Sequence, residues 1–288
     1  MMPPTPTTPQ TLRAWNLLYA RLLQEGLLAE EKTQKPHRHI PFTKRIPSVA
    51  AAGLIALVVS TLAVILYPSP PKNHRLRSLH NPNGGVTLIT TLEDGSVVYL
   101  AGHTRLEYPE HFTPERREVA LEGQALFDVQ GNSSQPFLIQ AGAVEIEVMG
   151  TCLHVRCGEN SPFELAVREG EVKVALRNNR QALYATAGET VTLSPSGYLR
   201  TNPSPPGEVF GNYTQRMHFR DETLGNILGV INANAPQGPR LHTTPALQAR
   251  RITVTFTSHA PENVARLLCK ALNLTCEEKY NDLWLSEP

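Results

Sequence analysis

The sequence predicts a single-pass membrane protein: a short cytoplasmic helix, one transmembrane helix, then an all-β domain followed by a small α+β domain. Three observations carry this reading. The stretch Ser48–Tyr67, SVAAAGLIALVVSTLAVILY, holds no charge over 20 residues, enough at 1.5 Å per residue to span the roughly 30 Å hydrocarbon core. Residues 84–200 alternate apolar and polar side chains in short runs punctuated by glycine, the pattern of half-buried strands. After a Pro-, Gly- and Asn-rich segment at 201–212, the period changes to that of helices mixed with strands.

Residues 1–45 read as a cytoplasmic segment. The prolines of MMPPTPTTPQ exclude a helix there. Beyond them Leu12, Trp15, Leu18, Leu22 and Leu23 recur at helical spacing, with Arg13, Arg21 and Gln24 between. One such helix cannot bury its own apolar stripe, so it binds a partner helix, lies on a membrane surface or dimerises. Trp15 beside Leu18 and Leu22 suits either a protein hot spot or a membrane interface. The span, residues 46–68, is bounded by Pro47 and Pro68, where neither breaks the helix. It starts too late for a signal peptide, so it reads as a retained anchor. Lys32, Lys35, Arg38, Lys44 and Arg45 precede it, against Lys72, Arg75 and Arg77 after it, which favours the N-terminus inside. Residues 1–45 carry seven basic and three acidic side chains, a net of +4, within a chain of net charge +1. That small total argues against a direct nucleic-acid partner.

In residues 84–200 the alternating runs are Val97/Tyr99, Val119/Leu121, Val144/Ile146/Val148, Val172/Val174 and Val191/Leu193. An acidic residue followed by glycine recurs at Asp94-Gly95, Glu122-Gly123 and Glu169-Gly170 and is read as turn chemistry, not as a solenoid repeat. Residues 201–212 read as a linker. In residues 213–288, Leu224, Ile227, Leu228 and Ile231 form a helical stripe ending before Pro236, and RITVTFT from Arg251 alternates as a strand. Pro261 then opens a second helix with Val264, Leu267, Leu268, Ala271 and Leu272 on its buried face, and Leu283 and Leu285 mark a final strand. The edge of the strand carrying Ile252, Val254 and Phe256 either accepts a partner strand or is covered by the chain itself.

Little here suggests catalysis. The four cysteines lack zinc spacing, the ten histidines are scattered, and the common hydrolase, metalloprotease and phosphate-loop motifs are missing. No metal and no cofactor are expected. Cys152 and Cys157, five apart on one strand, point to opposite faces. Cys269 on a helix and Cys276 on the next strand either pair in an oxidising compartment or stay as core thiols.

The stretches LEDGSVVYL (92–100), RLEYPEHF (105–112), REVALEGQALFDV (117–129), PFLIQ (136–140), VEIEVMGTCLHVR (144–156), LAVREGEVKV (165–174) and AGET (187–190) together carry a resemblance. In this order they resemble the FecR-type transmembrane anti-sigma factors in their Bacteroidetes form. The last 75 or so residues are similar to the short N-terminal domain of secretins and TonB-dependent receptors. The resemblance implies an inner-membrane protein with a FecR-like periplasmic domain. Its cytoplasmic helix would bind an extracytoplasmic-function sigma factor through Leu12, Trp15, Leu18 and Leu22. Its C-terminal domain would dock the signalling domain of a TonB-dependent outer-membrane transporter through Ile252, Val254 and Phe256. No enzyme activity is implied, with one exception. Gly150-Thr151 matches the position at which some relatives cut their own backbone by an N-to-O acyl shift, and His154 is the candidate proton acceptor. The plainer alternative is that Gly150 turns the chain and Thr151 starts a strand. The rival reading of the whole is a membrane-anchored periplasmic scaffold or glycan-binding module without sigma contact.

Overall fold

The structure, a computed structural model, describes residues 75–158, 161–177, 181–203 and 210–288, with residues 13, 16–18, 20–21 and 24–25. Of the predicted cytoplasmic helix, residues 13, 16–18, 20–21 and 24 are helical, and Leu18 keeps half of its surface exposed. Leu12, Trp15 and Leu22 and the predicted span 46–68 lie outside the described residues. Among the described residues no helix is long and apolar enough to cross a membrane.

Residues 71–288 form one compact unit. It opens with thirteen strands: β1 (Leu76–Asn81), β2 (Thr87–Thr91), β3 (Val97–Leu100), β4 (Thr104–Pro109), β5 (Arg117–Asp128), β6 (Phe137–Ala141), β7 (Val144–Val148), β8 (Cys152–Gly158), β9 (Ser161–Glu169), β10 (Glu171–Leu176), β11 (Ala182–Thr186), β12 (Glu189–Leu193) and β13 (Leu199–Pro203). Strand β1, ahead of residue 84, has no alternation that would announce it. The first sheet runs β1-β4-β5-β6-β7-β10-β11. The second contains β2-β3-β5-β8-β9-β12-β13. Between them lies a core that includes Val119, Leu121, Val144, Ile146, Val148, Val172, Val174 and Val191, as the alternation predicts.

Strand β5 belongs to both sheets. Its first half pairs with β4 and β6 in one sheet, and its second half with β3 and β8 in the other. The change of direction falls at Gly123, whose φ is +112°. A Cβ at this position would stand 2.7 Å from Thr104 Oγ1 and 2.8 Å from Thr104 Cα. Only glycine fits both the angle and the space. The Thr104 hydroxyl donates to the Gln124 carbonyl and accepts from the Gln124 amide, each at 3.0 Å, so the bend leaves neither backbone group unpaired. Glu122-Gly123 is therefore a bend within a long strand and not the turn expected from its composition, whereas Gly95 and Gly170 do sit in turns.

The Asp94-Gly95 turn anchors a second internal constraint. Arg117 at the start of β5 is 1% exposed, and its guanidinium meets Asp94 Oδ2 at 2.7 Å and donates to the carbonyls of Gln130 and Gln135. Its charge also lies over the Phe137 ring, 5.3 Å from the centroid. Asp94 in turn accepts from the Ser96 hydroxyl (2.6 Å), and Ser96 Oγ accepts from the Gln130 amide. A charge this deep is tolerated because nearly every donor is matched.

The C-terminal part adds β14 (Met217–Thr223), α1 (Leu224–Asn234), β15 (Leu241–Thr243), α2 (Pro245–Gln248), β16 (Arg251–Phe256), α3 (Pro261–Leu272), β17 (Thr275–Lys279) and β18 (Asp282–Ser286). It is joined to the β domain through a shared sheet. Met217–Phe219 of β14 run parallel to Thr87–Ile89 of β2, and β16 pairs outside β14, extending the second sheet to β16-β14-β2-β3. A separate three-stranded sheet runs β15-β18-β17. A second core collects Ile89, Tyr99, Leu126 and Cys152 of the β domain with Met217, Phe219, Leu224, Ile227, Leu228, Ile231, Val264 and Leu268 of the C-terminal part. Residues 201–203, read as linker, finish β13, and Phe210 is buried. Leu267, read as buried, is 41% exposed.

Replacing Asp94 by alanine leaves the buried Arg117 guanidinium without its counter-charge. The expected loss is about 3–5 kcal/mol of unfolding free energy, read by denaturant titration; a loss below about 1 kcal/mol would show that the pair does not hold the turn to β5.

Candidate functional site

The outer face of the second sheet is where the β domain meets the C-terminal part. Tyr99 on β3, Leu126 and Asp128 on β5, Cys152 and His154 on β8, and Ala166 and Arg168 on β9 share that face through the strand registers. Helix α1, Phe210 and Tyr213 cover it. Asn234, in the last turn of α1, donates to the Tyr99 hydroxyl (2.8 Å) and to the Val230 carbonyl (2.8 Å). Burial pushes the Tyr99 phenol up to about 12, although the Asn234 hydrogen bond pulls the other way. Burial also raises the Cys152 thiol to about 12 and lifts Asp128 above the usual carboxylate range, opposed there by Arg168. The Arg168 guanidinium lies 5.6 Å from the Phe210 ring centroid.

His154 is the anomaly on this face. It is 2% exposed, its ring sits 6.5 Å from Phe210 and 5.9 Å from Tyr213, and neither ring nitrogen has a hydrogen-bond partner. Burial, with a smaller contribution from the Arg156 charge, lowers its pKa to about 4. It is thus held neutral in an aromatic wall between the two parts of the chain.

A second junction lies at the β14 bulge. Asp221 there takes a left-handed φ of 50° and pairs with Arg251 at 3.0 Å. The buried Glu222 carboxylate accepts from the Thr91 amide (3.2 Å), the Thr223 amide (2.9 Å) and Asn226 Nδ2 (2.9 Å), tying β2 to the first turn of α1. Beside it opens a cleft of about 640 Å³, bordered by Arg77, Glu110, His111, Arg220, Asp221 and Arg251. Charges of both signs line it.

Compared with known proteins, residues 84–173 match the family model of the FecR protein. Over these residues the chain is similar to the FecR family. The resemblance read from the sequence motifs therefore holds over this stretch. No curated protein matches the chain. Two crystal structures of a candidate anti-sigma factor from Parabacteroides distasonis ATCC 8503, at 1.65 and 2.50 Å resolution, are each 19% identical to it. Each alignment covers 74% of this chain and 99% of the other, with TM-scores of 0.45 and 0.46 respectively.

Within this stretch, Gly150 and Thr151 are adjacent to a crowded backbone crossing. A Cβ on Gly150 would come within 2.6 Å of Gly131 Cα, and one on Gly170 within 3.0 Å of Thr151 Oγ1. The buried Thr151 hydroxyl donates to the Glu171 carbonyl at 3.0 Å. His154 makes no hydrogen bond to it and lies on the opposite face of β8, so the structure does not bring the candidate proton acceptor to Thr151. The glycine at 150 has a packing reason independent of chemistry. Cys152 and Cys157 are both buried, in the second and first cores respectively, as their spacing implies.

Strand β16 lies at the end of its sheet, beyond β14. Phe256 is buried against Phe219, with ring centroids 5.9 Å apart, while Ile252 and Val254 pack on the second core. These three side chains face inward; Arg251, Thr253 and Thr255 are the exposed ones. Among the described residues no group of three or more His, Cys, Asp or Glu side chains could hold a metal ion. Sequence reasoning missed the junction built by Tyr99, His154, Asn234 and Glu222. The signal available was the unbroken apolar run of β3, VVYL, whose last three residues are all buried, because a strand covered on both faces loses its alternation.

The low His154 pKa has a definite sign. Between about pH 4 and 6.5 the unfolded chain binds a proton that the folded chain refuses, so stability falls as pH drops through that window. From pH 7 to 4.5 the wild type should lose roughly 2 to 3 kcal/mol more than His154→Leu in parallel denaturant titrations. Asp128 acts in the opposite sense but is present in both proteins and cancels from the difference. Equal losses in the two proteins would contradict the assignment.

Proposed function

We propose that the protein is a single-pass inner-membrane anti-sigma factor that relays a signal from outside the membrane to an extracytoplasmic-function sigma factor. The observation that carries the proposal is the FecR domain at residues 84–173. The uncharged stretch Ser48–Tyr67 and the basic residues preceding it support the orientation, with the N-terminus cytoplasmic and the FecR domain periplasmic. Leu12, Trp15, Leu18 and Leu22 form the sigma-binding stripe; the exposure of Leu17 and Leu18 on the described helical residues is consistent with an unsatisfied apolar surface.

On the periplasmic side, the C-terminal part receives the signalling domain of a TonB-dependent outer-membrane transporter. The receiving element is the backbone edge of β16, with Arg251, Thr253 and Thr255 presented outward, since Ile252, Val254 and Phe256 are committed to the second core. A strand added there would be separated from β2 of the FecR domain by β14 and β16, in the same sheet. The relay needs no catalytic step and no cofactor. Thr151, held by the Glu171 carbonyl in a crowded crossing, acts as a packing residue in this account.

The test is co-precipitation of the cell's extracytoplasmic-function sigma factors with the full chain from detergent-solubilised membranes. Trp15→Ala with Leu18→Ala should reduce sigma recovery about tenfold or more, as loss of an aromatic anchor does at a protein interface. Undiminished recovery would remove the stripe from the account, and no recovery with wild type would favour a membrane-anchored periplasmic scaffold.

A further inference from the structure

Cys269 and Cys276 lie on either side of a tight connection. Helix α3 closes at Asn273, whose φ of 55° is left-handed, and the Leu274 amide returns to the Cys269 carbonyl at 2.9 Å. The chain then enters β17, where Cys276 pairs with Leu285 of β18. Leu285 is buried in the second core, and Cys269 packs partly against that core from the last turn of α3. Cys276 thus lies on the face of the small sheet turned toward α3, the helix that carries Cys269, and its thiol adds to the upward push of burial on the Cys269 thiol. All four described cysteines are free thiols, and Cys276 is the exposed one. Strand β17 is the edge of its sheet and every residue in it is exposed, so little besides β18 holds it.

We propose that Cys269 and Cys276 are the site of an intramolecular disulfide that fastens the edge strand β17 to the last turn of α3. The co-reactant is a small-molecule or protein disulfide. The exposed Cys276 thiolate attacks one sulfur of that disulfide and expels the other as a thiolate, leaving a mixed disulfide on Cys276. The Cys269 thiolate then attacks the Cys276 sulfur and expels the second half. Two protons leave the protein thiols, two electrons pass to the oxidant, and the oxidant ends as two thiols. Burial, with Cys276 beside it, raises the Cys269 thiol to about 11, so its thiolate is scarce and the exposed Cys276 is the group that meets the oxidant first. Cys152 and Cys157, held in separate cores, have no such route to one another. Occurrence of the bond in the cell rests on the periplasmic orientation proposed above; the chemistry does not.

The full chain, purified in detergent, is equilibrated with oxidised glutathione, quenched, denatured and alkylated. Alkylatable thiols should fall from the four of the reduced chain to two, with a mass lower by about 2 Da before alkylation and a Cys269–Cys276 cross-linked peptide after digestion. Amides of β17 should exchange with deuterium at least about tenfold more slowly in the oxidised protein, because closing the short loop restricts its opening. Cys276→Ser, a change at an exposed position, should keep all three remaining thiols alkylatable under the same treatment. Four alkylated thiols in oxidised wild type, a cross-link joining two chains, or loss of two thiols in Cys276→Ser overturns the proposal. None of these readouts depends on sigma binding, so failure here and failure of the regulator reading are separable.

Discussion

The fold turns on the bend of β5 at Gly123. One strand supplies hydrogen-bond partners to both sheets, so the angle between the sheets is set by a single backbone conformation that side-chain-bearing residues rarely adopt. Thr104 occupies the space a Cβ would fill and takes up the Gln124 amide and carbonyl, which turns a break in the ladder into a satisfied one. Arg117 at one end of the same strand and Asp128 at the other then lie in quite different surroundings. Arg117 is locked to the Asp94 turn, and Asp128 is on the face covered by the C-terminal part. Everything placed by β8, including Cys152, His154 and the crossing at Gly150, inherits its position from the second half of β5.

The junction with the C-terminal part is built differently from the core of the β domain. The first core is almost wholly apolar, whereas the junction buries Tyr99 on Asn234, Glu222 on three nitrogen donors, and a histidine with no hydrogen-bond partner. Polar groups at such a contact are stable only while their partners stay in register, so it is more sensitive to small displacements than an apolar contact of similar size. In the function proposed above, a strand added at β16 would reach β2 through this contact. The parallel pairing of β14 with β2 spans only three residues on each strand, which keeps the connection local.

Much of the fold was legible from side-chain period. Val144, Ile146 and Val148, Val172 and Val174, and the stripe Leu224, Ile227, Leu228 and Ile231 are buried where their spacing put them. Proline and capping signals also served: α3 begins at Pro261, and α1 ends just before Ala235-Pro236. What escaped were relations between distant segments. No periodicity reveals that β1 pairs with β4, that Glu122-Gly123 bends a strand instead of ending it, or that β14 joins the sheet of β2. The candidate site was legible only in part. His154 stood out as a residue type, but its surroundings are supplied by Phe210 and Tyr213, more than fifty positions away. Alternation identified β16, yet it could not tell that Phe256 would be spent on Phe219.

The β domain and the C-terminal part are one cooperative body joined through β2, β14 and α1. Hydrogen exchange on the full chain under native conditions measures this directly, because amides that open together share one opening free energy. The slowest amides of β2 and β3 and those of β14 and α1 should exchange through the same opening, with matching dependence on denaturant. Opening of β14 and α1 at a clearly lower free energy, with β2 and β3 still protected, would mean that the C-terminal part unfolds independently and would contradict it.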